Sequence, residues 1–172
     1  SESEKGFTIV ELLIAIAIIG VLASIAAPSA LKWVDKEKQN SYIRELISYL
    51  ELVKKETRRW NGSCSLVTNI FSSNPFDNST RKKSPVNAFN VTCKGMDQSN
   101  KRNIISSVPK IDPRVFQIVN QRTFNFTPKG HLSIPGNQDT LLILVGGRPD
   151  ADSYQKPKCI LLESPIGIIN TG

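Results

Sequence analysis

From Phe7 to Ala27 the chain runs through 21 residues in which Glu11 is the only charge, and after Pro28 the pattern turns from wholly apolar to one-sided. As a helix the first stretch would span about 31 Å at ~1.5 Å per residue, close to the hydrocarbon thickness of a bilayer. A cleaved secretory signal has a shorter apolar region followed by a small-residue cleavage site, whereas here the helical pattern continues. Leu31, Val34, Tyr42, Ile43, Leu46, Ile47, Leu50 and Val53 recur at three- and four-residue steps, with Lys36, Lys38, Arg44, Glu45, Glu51 and Lys55 mostly between them. That spacing predicts an amphipathic helix running on from the apolar segment. The region 7–60 therefore reads as one long rod, spanning a membrane at 7–27 and ended near Asn61-Gly62. Gly20 and Pro28 weaken it, so it can bend there; a continuous straight helix is the alternative.

Beyond Asn61 the texture changes to short β-branched and aromatic runs separated by Asn, Ser, Pro and Gly. Ser65 to Phe71, Ala88 to Cys93, Val115 to Val119, Thr123 to Thr127, Thr140 to Val145, Cys159 to Glu163 and Ile166 to Ile169 read as strands. Ser72 to Pro85 and Met96 to Ile104 are polar and read as loops, and Gly146-Gly147 before Arg148-Pro149-Asp150 reads as a turn. The expected class is α+β: a long N-terminal helix packed on a mainly antiparallel β domain at 61–172.

Glu11 needs a reason to sit in an apolar run, because a carboxylate at the centre of a membrane helix is unfavourable. Near the helix N-terminus it could reach the interface and gain from the helix dipole. The alternative is a buried cation, and none lies at helical spacing within the segment, which points to another chain. Lys5-Gly6-Phe7-Thr8-Ile9-Val10-Glu11-Leu12-Leu13, followed by an apolar run with Gly20 and Pro28, resembles the processing signature of type IV pilins and of their type II secretion relatives, the pseudopilins. The resemblance implies that residues 1–6 are a leader, that prepilin peptidase cuts between Gly6 and Phe7, and that Phe7 becomes N-methylated. It also implies that Glu11 meets the freed amine of Phe7 on a neighbouring subunit during assembly. Lys5 precedes the segment while Lys32, Lys36 and Lys38 follow it, so lysine bias alone would place the C-terminal part in the cytoplasm. The resemblance implies the opposite: a single pass through the inner membrane with a periplasmic globular domain, then residence in a pilus or pseudopilus.

A second resemblance lies further on. Phe124-Asn125-Phe126-Thr127-Pro128-Lys129-Gly130-His131-Leu132 and the closing Cys159 to Ile168 stretch are similar to the F-x-P-x-G and strand–Gly–strand patterns of the GspH/FimT group of minor pilins and pseudopilins. This implies a pilin-like domain of two sheets. Some members of that group bind DNA through arginines near the C-terminal hairpin; here Ser164 to Gly172 holds no Lys or Arg.

The net charge is +7, from 22 Lys+Arg against 15 Asp+Glu, and the cations are spread along the chain. The groups Lys54-Lys55 with Arg58-Arg59, Arg81-Lys82-Lys83, and Lys101-Arg102 could track phosphates, so DNA is carried as an alternative partner against the simpler reading of solvated faces. Cys64, Cys93 and Cys159 form no metal-ligand spacing; an exported domain would make one disulfide among them and leave one thiol, and three reduced cysteines are the alternative. His131 is the only histidine and sits beside a turn glycine. No nucleophile elbow, phosphate-binding glycine loop or cofactor motif is present, and the expected role is structural, with other pilin or pseudopilin subunits as partners.

Overall fold

The computed structural model describes residues 7–68, 86–111, 115–136, 138–147, 156–165 and 168–171, without the side chains at 25–29, 31, 86, 116, 147 and 168–171. It divides into two compact units, residues 1–35 and 36–172. Helix α1, Ile9–Arg59, begins in the first and ends in the second. It is helical through positions 20 and 28, so neither Gly20 nor Pro28 ends it.

In the first unit the apolar side chains face outward. Ile9 is 79% exposed, and Val10, Leu12, Leu13, Ile14, Ile16, Ile18, Ile19, Val21 and Leu22 are all more than half exposed. Among the described residues no helix is long and apolar enough to cross a membrane. The apolar run of the sequence continues through residues 25–27, whose side chains are outside the described set.

The second unit is a domain with its own core. It comprises the later turns of α1, then β1 Ser63–Thr68, β2 Val86–Asn87, β3 Phe89–Lys94, α2 Gln98–Ser106, β4 Lys110–Ile111, β5 Val115–Val119, β6 Thr123–Phe126, β7 Leu132–Ser133, β8 Thr140–Gly147, β9 Lys158–Glu163 and β10 Ile168–Thr171. One sheet has the order β3-β1-β6-β7, a second β10-β9-β8-β5, and β2 and β4 pair alone. All pairs are antiparallel. The α+β class and the two larger sheets are those expected.

Strand burial has a period of two. Cys64, Leu66 and Thr68 point inward on β1, Phe124 and Phe126 on β6, Leu141, Ile143 and Val145 on β8, and Ile160 and Leu162 on β9. Onto this interior α1 presents Tyr42, Ile43, Leu46, Tyr49, Leu50 and Val53, spaced to fall on one face. Tyr49 stacks on Phe89 at 6.3 Å, Phe89 meets Phe124 edge-on at 5.6 Å, and Phe124 meets Phe126 at 6.2 Å. This aromatic chain joins the helix to the first sheet.

Two buried polar groups also tie α1 to the second sheet. Gln39 Nε2 donates to the carbonyls of Val145 and Lys156 at 2.8 and 3.1 Å. The Tyr42 hydroxyl donates to Gln117 Oε1 at 2.6 Å. Burial pushes the Tyr42 phenol up, with Glu45 adding to the effect, and burial alone does the same for Tyr49. The sheets are linked where Leu132 N donates to the Pro165 carbonyl at 2.9 Å and the Ser164 hydroxyl donates to Leu132 O at 3.0 Å.

α1 ends as its sequence directs. Asn61 adopts φ +50°, the left-handed conformation that Asn tolerates, and Gly62 N donates to the Thr57 carbonyl at 3.0 Å, closing the last turn. A cross-strand disulfide follows: Cys64 and Cys93 sit opposite each other on β1 and β3 and are bonded, with 4.1 Å between Cα atoms. Cys159 lies half-buried on β9 and is outside that bond.

Two local expectations are corrected. Met96 to Ile104, expected as a loop, contains most of α2, because Asp97 caps it: the Ser99 hydroxyl donates to Asp97 Oδ2 at 2.8 Å, and Asn100 N and Nδ2 donate to Oδ1. These bonds, the Ser99 one foremost, hold the Asp97 carboxyl below its usual range. Gly146 and Gly147, expected in a turn, instead close β8 opposite Phe116 and Val115. The expected loop Ser72 to Pro85 lies outside the described residues, as do 69–71 and 166–167 of two expected strands.

Candidate functional site

The start of α1 is built by four residues. Thr8 occupies the N-cap position: its hydroxyl accepts the Glu11 amide at 3.2 Å and its carbonyl accepts Leu12 N at 3.2 Å. In return, Glu11 Oε2 accepts the Thr8 amide at 3.0 Å and the Thr8 hydroxyl at 2.9 Å. This is a capping box, a T-x-x-E pair that satisfies two amides the helix leaves without intrahelical partners. Glu11 Oε1 accepts no hydrogen bond from the described residues. Phe7, just before the cap, is 82% exposed. The spacing of Thr8 and Glu11 carried this signal, which sequence reasoning missed by treating Glu11 as an isolated acid.

The site thus offers a carboxylate fixed by its own helix, one oxygen engaged and one open, beside an exposed apolar surface. Gly6 lies outside the described residues, so the structure places Phe7 and Glu11 but not the bond between Gly6 and Phe7.

The remaining candidates are scattered. Lys101 is half-buried and Arg102 exposed, both on α2, while Arg81, Lys82 and Lys83 lie outside the described residues. Lys54, Lys55, Arg58 and Arg59 instead share the last turns of α1, where with Glu51 they line an open cleft of about 430 Å³. The Arg59 guanidinium lies 5.1 Å over the Trp60 ring, and Trp60 Nε1 donates to Glu56 at 2.8 Å. His131 is exposed in the turn between β6 and β7, its amide bonded to the Thr127 hydroxyl at 3.1 Å. Among the described residues no cluster of His, Cys, Asp or Glu is arranged to hold a metal ion.

Comparison with known proteins agrees with the N-terminal geometry. The family described as the prokaryotic N-terminal methylation motif matches residues 3–27. Fimbrial protein Q of Moraxella bovis is 46% identical over 44 residues, which cover 26% of this chain and 28% of that relative. No solved structure matches the chain. At its amino terminus the chain is type IV pilin-like. The aligned stretch spans little more than a quarter of the curated relative's length.

Proposed function

We propose that the chain is a non-enzymatic filament subunit, a minor pilin or pseudopilin. The observation that carries this reading is the capped carboxylate Glu11 at the head of a helix whose apolar side chains are exposed. In this reading segment 7–27 anchors the subunit in the inner membrane with the globular domain on the periplasmic side. Prepilin peptidase then frees the Phe7 amine, which is methylated. The open Oε1 of Glu11 accepts that amine from a neighbouring subunit while Oε2 keeps the helix capped. A buried ion pair is far less costly in an apolar environment than a lone carboxylate, so the contact sets the axial register between subunits. Gly20 and Pro28 act as the weakened points where the helix adapts to filament packing.

Filament incorporation in cells tests this. Glu11→Ala and Glu11→Gln should both reach the membrane fraction at wild-type levels, and both should enter filaments on the order of tenfold less than wild type. Wild-type incorporation of either variant contradicts the register role.

A second reading, DNA binding by the globular domain, is favoured by the cationic cleft on α1, with Trp60 beside it for base stacking. Of the basic groups named from the sequence, Lys54, Lys55, Arg58 and Arg59 are those that line this cleft. An electrophoretic shift with the full chain should weaken with salt, with a log–log slope of about −3 to −4 if four phosphates are neutralised. A salt-independent shift, or none at micromolar protein, rejects this reading.

A further inference from the structure

The chain has two tryptophans, and they are treated very differently. Trp60 donates its indole N–H to Glu56 and lies under Arg59. Trp33 is 67% exposed, and its indole N–H has no acceptor among the described residues. A ring that is apolar over most of its area and polar at one edge suits the boundary between hydrocarbon and water.

Position along α1 supports that boundary. Trp33 lies six residues past Ala27, where the apolar run ends, about 9 Å along a helix axis. Helical side chains lean toward the N-terminus, so the ring covers the turn before its own Cα and falls back toward the apolar run. The polar layer on each side of a bilayer is about 5–8 Å deep, which matches that place. Lys32, the adjacent residue, is exposed, and its long stem can carry the ammonium to phosphate level.

We propose that Trp33 and Lys32 form a headgroup-level anchor for phospholipid, the indole ring at the level of the glycerol and carbonyl groups and the ammonium at the phosphates. The inference rests on the membrane reading of 7–27. The anchor fixes the depth of the helix, and it gives the subunit a contact that must be released before it leaves the bilayer.

The test is fluorescence quenching of the full chain in phosphatidylcholine vesicles, with lipids brominated near the carbonyl end or near the tip of the acyl chains. With excitation selective for tryptophan, Trp60→Phe leaves Trp33 as the only tryptophan; the difference between wild type and Trp33→Phe isolates the same signal with Trp60 intact. Quenching should be at least about twofold stronger from the shallow bromines than from the deep ones, with blue-shifted emission. A chain that floats with the vesicles but shows water-like, unquenched emission, or deeper quenching, overturns the anchor while leaving the membrane reading in place. A chain that does not float overturns both. Shallow quenching of the unassociated chain that is lost when subunits associate is the release that the anchor requires, and it supports the proposal.

Discussion

Thr8 and Glu11 hold each other at the head of α1. The Thr8 amide and hydroxyl donate to Glu11 Oε2 at 3.0 and 2.9 Å, and the Glu11 amide donates back to the Thr8 hydroxyl at 3.2 Å. The acid proposed as an assembly contact is thereby held in place by its own helix.

Cap and charge can be separated by substitution. Thr8→Val keeps the shape and removes the hydroxyl, at a local cost of about 1 kcal/mol, so amide exchange in the first turn should run roughly fivefold faster in detergent micelles. Glu11→Gln retains an oxygen acceptor and should leave that exchange close to wild type while abolishing the charge. If Thr8→Val leaves the Glu11 amide unchanged, the cap contributes little.

The turn after β6 depends on Gly130. Its φ of +74° is left-handed, and an added Cβ would run into the aliphatic chain of Arg58 on α1. Gly130 N donates to the Thr127 carbonyl at 2.7 Å, and Thr127 N to the His131 carbonyl at 2.9 Å. Gly130→Ala should therefore destabilise the domain by about 2 kcal/mol or more, from backbone strain and overpacking together. Chemical denaturation measures it, and a loss under ~0.5 kcal/mol contradicts the close approach.

The Cys64–Cys93 bond closes a separation of 29 residues. On the chain-entropy argument it contributes about 3–4 kcal/mol. The double variant Cys64→Ser, Cys93→Ser should melt roughly 10 °C lower than the oxidised wild type by circular dichroism.

Tyr42 and Tyr49 distinguish a paired from an unpaired buried hydroxyl. Tyr42→Phe strands Gln117, whose Nε2 already has no partner among the described residues, and should cost about 1–2 kcal/mol. Tyr49 Oη likewise has no partner among them, so Tyr49→Phe should be neutral or stabilising. Both phenols are raised in the folded state. Their contribution is therefore complete below the unfolded value near pH 10 and declines above it, as the unfolded chain releases protons that the folded chain keeps. Absorbance titration should show these two tyrosines ionising only as the domain unfolds.

Legibility in the sequence followed the strength of each pattern. Val115 to Val119 was readable to the residue, because it is a short run of β-branched and aromatic residues bounded by turn residues such as Pro113 and Asn120. The end of α1 was placed within a few residues by Asn61-Gly62, and the F-x-P-x-G string acquired its physical reason only when Gly130 was seen against Arg58. By contrast α2 buries a single residue, Ile104, so no periodicity announced it and only Asp97 marked its start. β2, β4 and β7 are two residues each, too short for alternation to register. At the N-terminal site, Phe7 and Glu11 were legible from the motif. The role of Thr8 was equally present in the T-x-x-E spacing and needed the geometry to make it visible.

Mass spectrometry of the N-terminus of the chain isolated from cells tests the filament-subunit reading most directly. The expected result is a chain beginning at Phe7 with one methyl group on its amine. A chain that retains Gly6, or begins at Phe7 without the methyl group, contradicts it.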